Sequence, residues 1–142
     1  MIKDLILTPL SIIDTVGGNV LHALKNNDPG YTGFSEAYFS EINSGSIKAW
    51  KQHKKMTLNL VVPLGEIKFV IFDNRTDNLG EFQEVILSQN NYHRLTIPPM
   101  VWFGFKGISS NKSLLLNIAN IVHNPSEVNK KNINEIQYNW EI

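Results

Sequence analysis

The sequence predicts a small all-β fold, a sandwich or barrel, in one domain over residues 1–142. Two observations carry this. About eight short segments rich in β-branched and aromatic residues recur every 8–12 residues, separated by turn-forming clusters, and no segment shows a convincing amphipathic helical period. The chain of 142 residues is long enough for one core and too short for two comfortable ones.

In chain order, residues 1–30 form a lead-in segment packed on the barrel. Leu5–Leu7 is a short strand ahead of Pro9, and 11–14 is a turn or an edge strand. Gly17-Gly18 is a turn signal, and 20–25 is a single helical turn or an extended segment. Asn26-Asn27-Asp28-Pro29-Gly30 places five turn-formers in a row and reads as a loop. Strands then follow at 37–39, 47–50, 58–62, 67–72, 81–87, 92–97, 101–105 and 114–122, with a polar loop at 73–80. The polar tail after Pro125 reads as extended or weakly helical.

The composition narrows the function classes. Thirteen basic residues balance thirteen acidic ones, so no basic surplus points to nucleic acid. There is no cysteine, which excludes disulfides, thiolate metal sites and cysteine nucleophiles and fits a cytoplasmic location. The first residues lack a secretory pattern, and no apolar run approaches the roughly 20 residues a membrane span needs.

The densest set of proton-carrying side chains precedes the two central strands: Lys48, Lys51, His53, Lys54 and Lys55. Residues two apart on a strand share a face, so His53 points inward if Lys51 does. An imidazole titrates near neutrality without tuning. A lysine base at 51 would need its pKa lowered far toward neutrality by burial and by Lys48. Asn59 sits among apolar residues mid-strand, where a buried amide needs a partner, and is a candidate ligand contact. Arg75 and Arg94 are the two arginines, each able to grip a diphosphate bidentately. Trp102 and Phe103 read as a stacking wall or as core.

Gly45, Lys51, His53, Leu58 and Gly65 fall on the spacing of the first cupin motif, and Pro98, Met100 and Phe103 on that of the second. The chain therefore resembles the cupins, and the resemblance implies a jelly-roll β-barrel, a double-stranded β-helix. Three of the usual four metal ligands are replaced. A lone His53 cannot hold a divalent ion, so the barrel reads as metal-free.

Further pieces narrow the likeness: 33–40 (Gly-Phe-Ser-Glu-Ala-Tyr-Phe-Ser), 47–53 (Ile-Lys-Ala-Trp-Lys-Gln-His), 58–65, 95–105, 120–127 and 136–140. They make the chain similar to the dTDP-4-dehydrorhamnose 3,5-epimerases, metal-free RmlC-like cupins, as a short divergent branch. The resemblance implies proton abstraction next to the ketone of a 4-keto-6-deoxy sugar nucleotide, with inversion at C3, C5 or both, in deoxysugar and surface-polysaccharide (lipopolysaccharide, O-antigen) biosynthesis. It also implies a nucleotide-diphosphate sugar as ligand and a homodimer. For this chemistry no cofactor is expected, since the substrate's own ketone supplies the acidity. Such chemistry needs a base, an acid across the ring and a donor for the enolate oxygen.

At the matching positions Lys48 stands for an arginine, Lys51 for the base histidine, and Asn117 for the acid tyrosine. The dyad carboxylate finds only Glu135 nearby. His53, Lys51 and Asn117 are thus the catalytic candidates, with Tyr38 or Tyr92 able to replace the acid. Lys48, Asn59, Arg75, Tyr38 and Trp102 are the substrate-binding candidates, with phosphate charge met by Arg75 and by Lys48 with Lys51. The alternatives are a sugar-nucleotide 3,4-ketoisomerase and a non-catalytic sugar-nucleotide-binding cupin.

Overall fold

The computed structural model describes residues 1–76 and 79–141. Twelve strands follow one another: β1 (Ile6–Pro9), β2 (Ile12–Ile13), β3 (Val20–Leu21), β4 (Glu36–Ile42), β5 (Ile47–His53), β6 (Leu58–Leu64), β7 (Glu66–Asp73), β8 (Glu81–Ser88), β9 (His93–Ile97), β10 (Trp102–Gly107), β11 (Ser113–Ala119) and β12 (Val128–Lys130). Two 3₁₀ turns, Pro125–Glu127 and Ile133–Glu135, flank β12.

Ten strands form two five-stranded antiparallel sheets. The first runs β1-β9-β6-β11-β4 and the second β12-β5-β10-β7-β8, while β2 and β3 pair as a separate hairpin. The architecture is the double-sheet jelly roll expected from the sequence. The expected loop at 73–80 includes Asp77 and Asn78, which lie outside the described residues.

The alternation of the strands explains the two cores. Leu58, Leu60 and Val62 on β6 and Ile67, Phe69 and Ile71 on β7 turn toward each other between the sheets, joined by Leu95, Phe103 and Leu115. A second cluster lies on the outer face of the second sheet, where Trp50, Val70 and Trp102 are covered by Ile136 and Trp140 of the tail. The tail is therefore a packed strap. It is further tied by Tyr138, whose hydroxyl donates to Glu84, and by the Lys106 ammonium, which donates to the Trp140 carbonyl at 3.0 Å.

The lead-in is more integrated than a packed segment: β1 pairs with β9 over four residues and includes Pro9. Pro9 occupies the last position of a strand at a sheet edge, where a missing N–H is tolerated. The stretch at 20–25 is extended, since Val20–Leu21 pairs with Ile12–Ile13. Chain crossing between the sheets occurs at Gly65, whose φ of +84° suits glycine and whose Cβ would come within 2.2 Å of Ser113 Oγ.

One irregularity matters for the site. Pairing between β5 and β10 slips by a residue, from Phe103 opposite Lys51 to Phe105 opposite Lys48. The extra residue is a β-bulge: Ala49 and Trp50, although consecutive, both belong to the outer cluster. The bulge returns Lys51 to the side Lys48 faces. Gly104 lies opposite, and a Cβ there would meet Ala49 Cβ at 2.6 Å. Gly104→Ala is expected to lose about 1–3 kcal/mol through this overlap, read as a shift in urea midpoint; an unchanged midpoint would show that the bulge relaxes freely.

Candidate functional site

A cavity of about 610 Å³ opens between the edges of the two sheets, within the range of small-molecule sites. Three sources line it. From the second sheet, β5 presents Lys48, Lys51 and His53, and β10 presents Phe103 and Phe105. From the first sheet, β4 presents Tyr38 and Ser40, and β11 presents Asn117. From the tail, β12 adds Lys130, and the strap beyond it adds Lys131 and Glu135.

At the inner end, His53 Nδ1 lies 2.7 Å from Glu127 Oε1. The other oxygen, Oε2, accepts from the backbone N–H groups of Lys55 and Met56, each at 2.9 Å. Burial pushes the Glu127 carboxyl up. The hydrogen bonds from Lys55, His53 and Met56, with the neighbouring imidazole charge, outweigh it and hold the pKa below the ordinary value. Glu127 is therefore ionised and can only accept, which puts a proton on His53 Nδ1, so in the neutral form of the imidazole the lone pair lies on Nε2. The imidazole also stacks on Phe103, centroids 6.1 Å apart, which fixes its plane.

Across the cavity, Asn117 and Tyr38 are direct partners on neighbouring strands. Asn117 Nδ2 donates to Ser40 Oγ at 2.9 Å and to the Tyr38 carbonyl at 3.3 Å. Burial, then the charge of Glu36, pushes the Tyr38 phenol above its ordinary pKa, so it stays protonated as a donor. Partial burial pushes the Lys51 ammonium down, and the charges of Lys130 and Lys48 add to this.

The structure thus brings together His53, Lys51, Asn117, Lys48 and Tyr38. It places the other candidates elsewhere. Asn59 is buried in another polar cluster, accepting from Arg94 Nε at 3.1 Å and Thr96 Oγ1 at 2.6 Å and donating to the Gly30 carbonyl. Arg75 forms a bidentate pair with Asp73, at 2.9 and 3.0 Å, and donates to the Lys3 carbonyl. Trp102 is buried in the outer cluster, with the Lys131 ammonium 5.1 Å over its ring. Tyr92 is buried and donates to the His22 carbonyl, which leaves Tyr38 as the tyrosine in the cavity.

Glu127 is the residue that sequence reasoning missed. Glu135 lines the cavity mouth but caps its own 3₁₀ turn through the Asn132 N–H. The available signal was Asn124-Pro125-Ser126-Glu127, an N-cap and a proline opening a turn that carries a carboxylate. Among the described residues no group of three or more His, Cys, Asp or Glu side chains could hold a metal ion, and no helix is long and apolar enough to cross a membrane.

The chain matches no family model. It is 35% identical to a dTDP sugar isomerase from Desulfovibrio desulfuricans, covering 92% of this chain and 85% of that one with a TM-score of 0.87. It is 33% identical over 84 residues to a probable low-salt glycan biosynthesis epimerase, Agl13, of Haloferax volcanii, spanning 57% of this chain and only 54% of that protein. With the spore coat polysaccharide biosynthesis protein SpsL of Bacillus subtilis it shares 26% identity over 75% of each chain. The fold alone is shared with dTDP-4-dehydrorhamnose 3,5-epimerase from Elizabethkingia anophelis (TM-score 0.78, 15% identity, covering 99% and 82%). It is also shared with the sugar 3,4-ketoisomerase QdtA of Thermoanaerobacterium thermosaccharolyticum, solved with TDP (0.76, 16%, 92% and 90%).

Proposed function

Since the chain belongs to the RmlC-like family of sugar-nucleotide epimerases and isomerases, we propose that it epimerises a TDP-linked 4-keto-6-deoxy sugar at C3, C5 or both. One observation carries this reading. His53, held by Glu127 of the 3₁₀ turn behind it, stands on the second sheet, and a protonated tyrosine, Tyr38, stands on the first, across the same cavity. A base and an acid on opposite walls are what inversion of a carbon next to a ketone requires.

His53 Nε2 removes the proton. Charge then gathers on the ketone oxygen as the enolate forms, and the Asn117 amide serves as its neutral donor by giving up the 3.3 Å bond to the Tyr38 carbonyl. Tyr38 delivers a proton to the opposite face. Tyr38→Phe is expected to slow turnover about 10²-fold while leaving washout of the substrate proton measurable. Loss of both together would instead make Tyr38 part of the abstraction step.

The ketoisomerase reading keeps one point in its favour: one imidazole serving two adjacent carbons needs no acid across the ring. Proton NMR of TDP-4-keto-6-deoxyglucose in D2O separates the outcomes. Deuterium at C3 or C5 with an inverted centre is the expected result. A ketone moved to C3 would make the protein a ketoisomerase, and ligand binding with no exchange would make it a non-catalytic binder.

A role in surface-polysaccharide synthesis, in the cytoplasm and as a homodimer, completes the proposal. Phe39 supports the dimer: it is 62% exposed on the outer face of the first sheet, opposite Tyr38 and Ser40. Sedimentation velocity reads the dimer directly.

A further inference from the structure

The strap carries a feature that the dyad does not explain. In the β12–β5 ladder, Lys130 lies directly opposite Lys51, and both side chains line the cavity. Like charges facing each other across an antiparallel pair are destabilising. Among the described residues, neither ammonium makes a hydrogen bond or ion pair. Their neighbours are engaged: Lys48 donates to the Glu41 carbonyl, Lys54 to the Ser126 carbonyl, and Lys131 sits over Trp102.

We propose that the Lys51–Lys130 rung is the diphosphate seat of the substrate, so that the strap supplies half of the anion site and Lys51 grips phosphate instead of moving a proton. Two ammonium groups held side by side match two linked phosphates, each a point charge with rotatable donors. The negative charge of a diphosphate offsets the repulsion between the two ammonium groups.

The spacing along the strand fits the same picture. His53, paired with Val128, is the next inward-facing position after Lys51, about 7 Å further along β5. A diphosphate on the rung therefore presents its hexose to His53 Nε2, with Phe103 as the floor. Lys130 was invisible as a partner in the sequence because it is 79 positions from Lys51, and only the strap's return to β5 joins them.

This inference rests on the sugar-nucleotide reading, and two probes keep the two apart. Titration calorimetry of the full chain with TDP and with inorganic pyrophosphate is run on wild type, Lys130→Met, Lys130→Arg and Lys51→Met. Each methionine variant is expected to weaken both probes about tenfold at low ionic strength, with Lys130→Arg close to wild type. The difference is expected to shrink at 1 M salt, where the Debye length falls to about 3 Å.

TDP binding that Lys130→Met leaves unchanged overturns the seat and spares the functional reading. Lysine-dependent pyrophosphate binding without TDP binding supports the seat and removes the TDP-sugar reading. Wild type that binds neither probe overturns the seat. Lys130 is exposed, so a circular-dichroism melt matching wild type is expected to exclude misfolding as the cause.

Discussion

Glu127→Gln is expected to abolish catalysis almost as completely as His53→Asn, each lowering the rate of deuterium exchange about 10²–10⁴-fold. The reason lies in which atoms a glutamine would present. The Lys55 and Met56 N–H groups both point at Oε2, and only an oxygen can accept them. That fixes the amide oxygen there and turns the NH2 toward His53 Nδ1. The imidazole then accepts at Nδ1 and must carry its proton on Nε2, so the lone pair that removes the substrate proton is gone. TDP affinity stays close to wild type, because the swap alters no group of the cationic rung. A Glu127→Gln protein that exchanges deuterium within threefold of wild type would remove the dyad from the mechanism.

The same carboxylate predicts the acid limb of stability. Its folded pKa is depressed, so its contribution is complete above the unfolded carboxyl value and is lost as pH falls through the folded value. Urea midpoints measured from neutrality down into the carboxyl range are expected to drop less steeply in Glu127→Gln than in wild type. Equal slopes would mean that another group controls acid unfolding.

Arg94→Met is expected to cost about 3–5 kcal/mol, since it deletes one member of a buried charge network and strands the rest. Arg94 is 0% exposed. Its Nε donates to Asn59, one Nη to the Ala23 carbonyl and to Asp28, and the other Nη to the Pro29 carbonyl. Burial pushes the guanidinium pKa down, and the Asp28 carboxylate opposes this. These bonds clamp 23–30 onto β9 and β6. A fall in melting temperature of about 10 °C or more is expected by differential scanning calorimetry. Arg94→Lys keeps the charge but cannot make the fork, and should fall in between. Exchange activity per folded molecule stays at wild type, because no Arg94 atom lines the large cavity. A melting temperature within 2–3 °C of wild type would show that the lead-in needs no such clamp.

The strands were legible because alternation and turn chemistry are local. Leu58–Val62 and Ile67–Phe72 appear almost as read, and β5 extends its predicted segment to His53. That Lys51 and His53 share a face followed from the two-residue period. That Lys48 joins them did not follow, since a spacing of three reverses faces unless a bulge intervenes, and the bulge depends on Gly104 in another strand.

Asn59, Arg75 and Trp102 carried the right chemistry for a ligand, yet each meets its needs within the fold: Arg94 and Thr96, Asp73, and the outer aromatic cluster. Glu127 was hidden for the opposite reason. The capped turn at Asn124-Pro125 marks a turn carrying a carboxylate and does not say what that carboxylate meets, because its partner lies 74 residues earlier.

The position of the strap has a kinetic meaning. The dyad and the lysine rung both join β5 to residues beyond 126, so they close long loops, of 74 and 79 positions. Closing a loop costs entropy that rises with its length, and antiparallel folds of high contact order fold in milliseconds to seconds. During synthesis β1 to β11 are all made before Glu127 and Lys130. Binding competence should therefore lag behind sheet formation. In refolding experiments, far-UV dichroism is expected to recover before TDP binding, with burial of Trp140 reporting the later step.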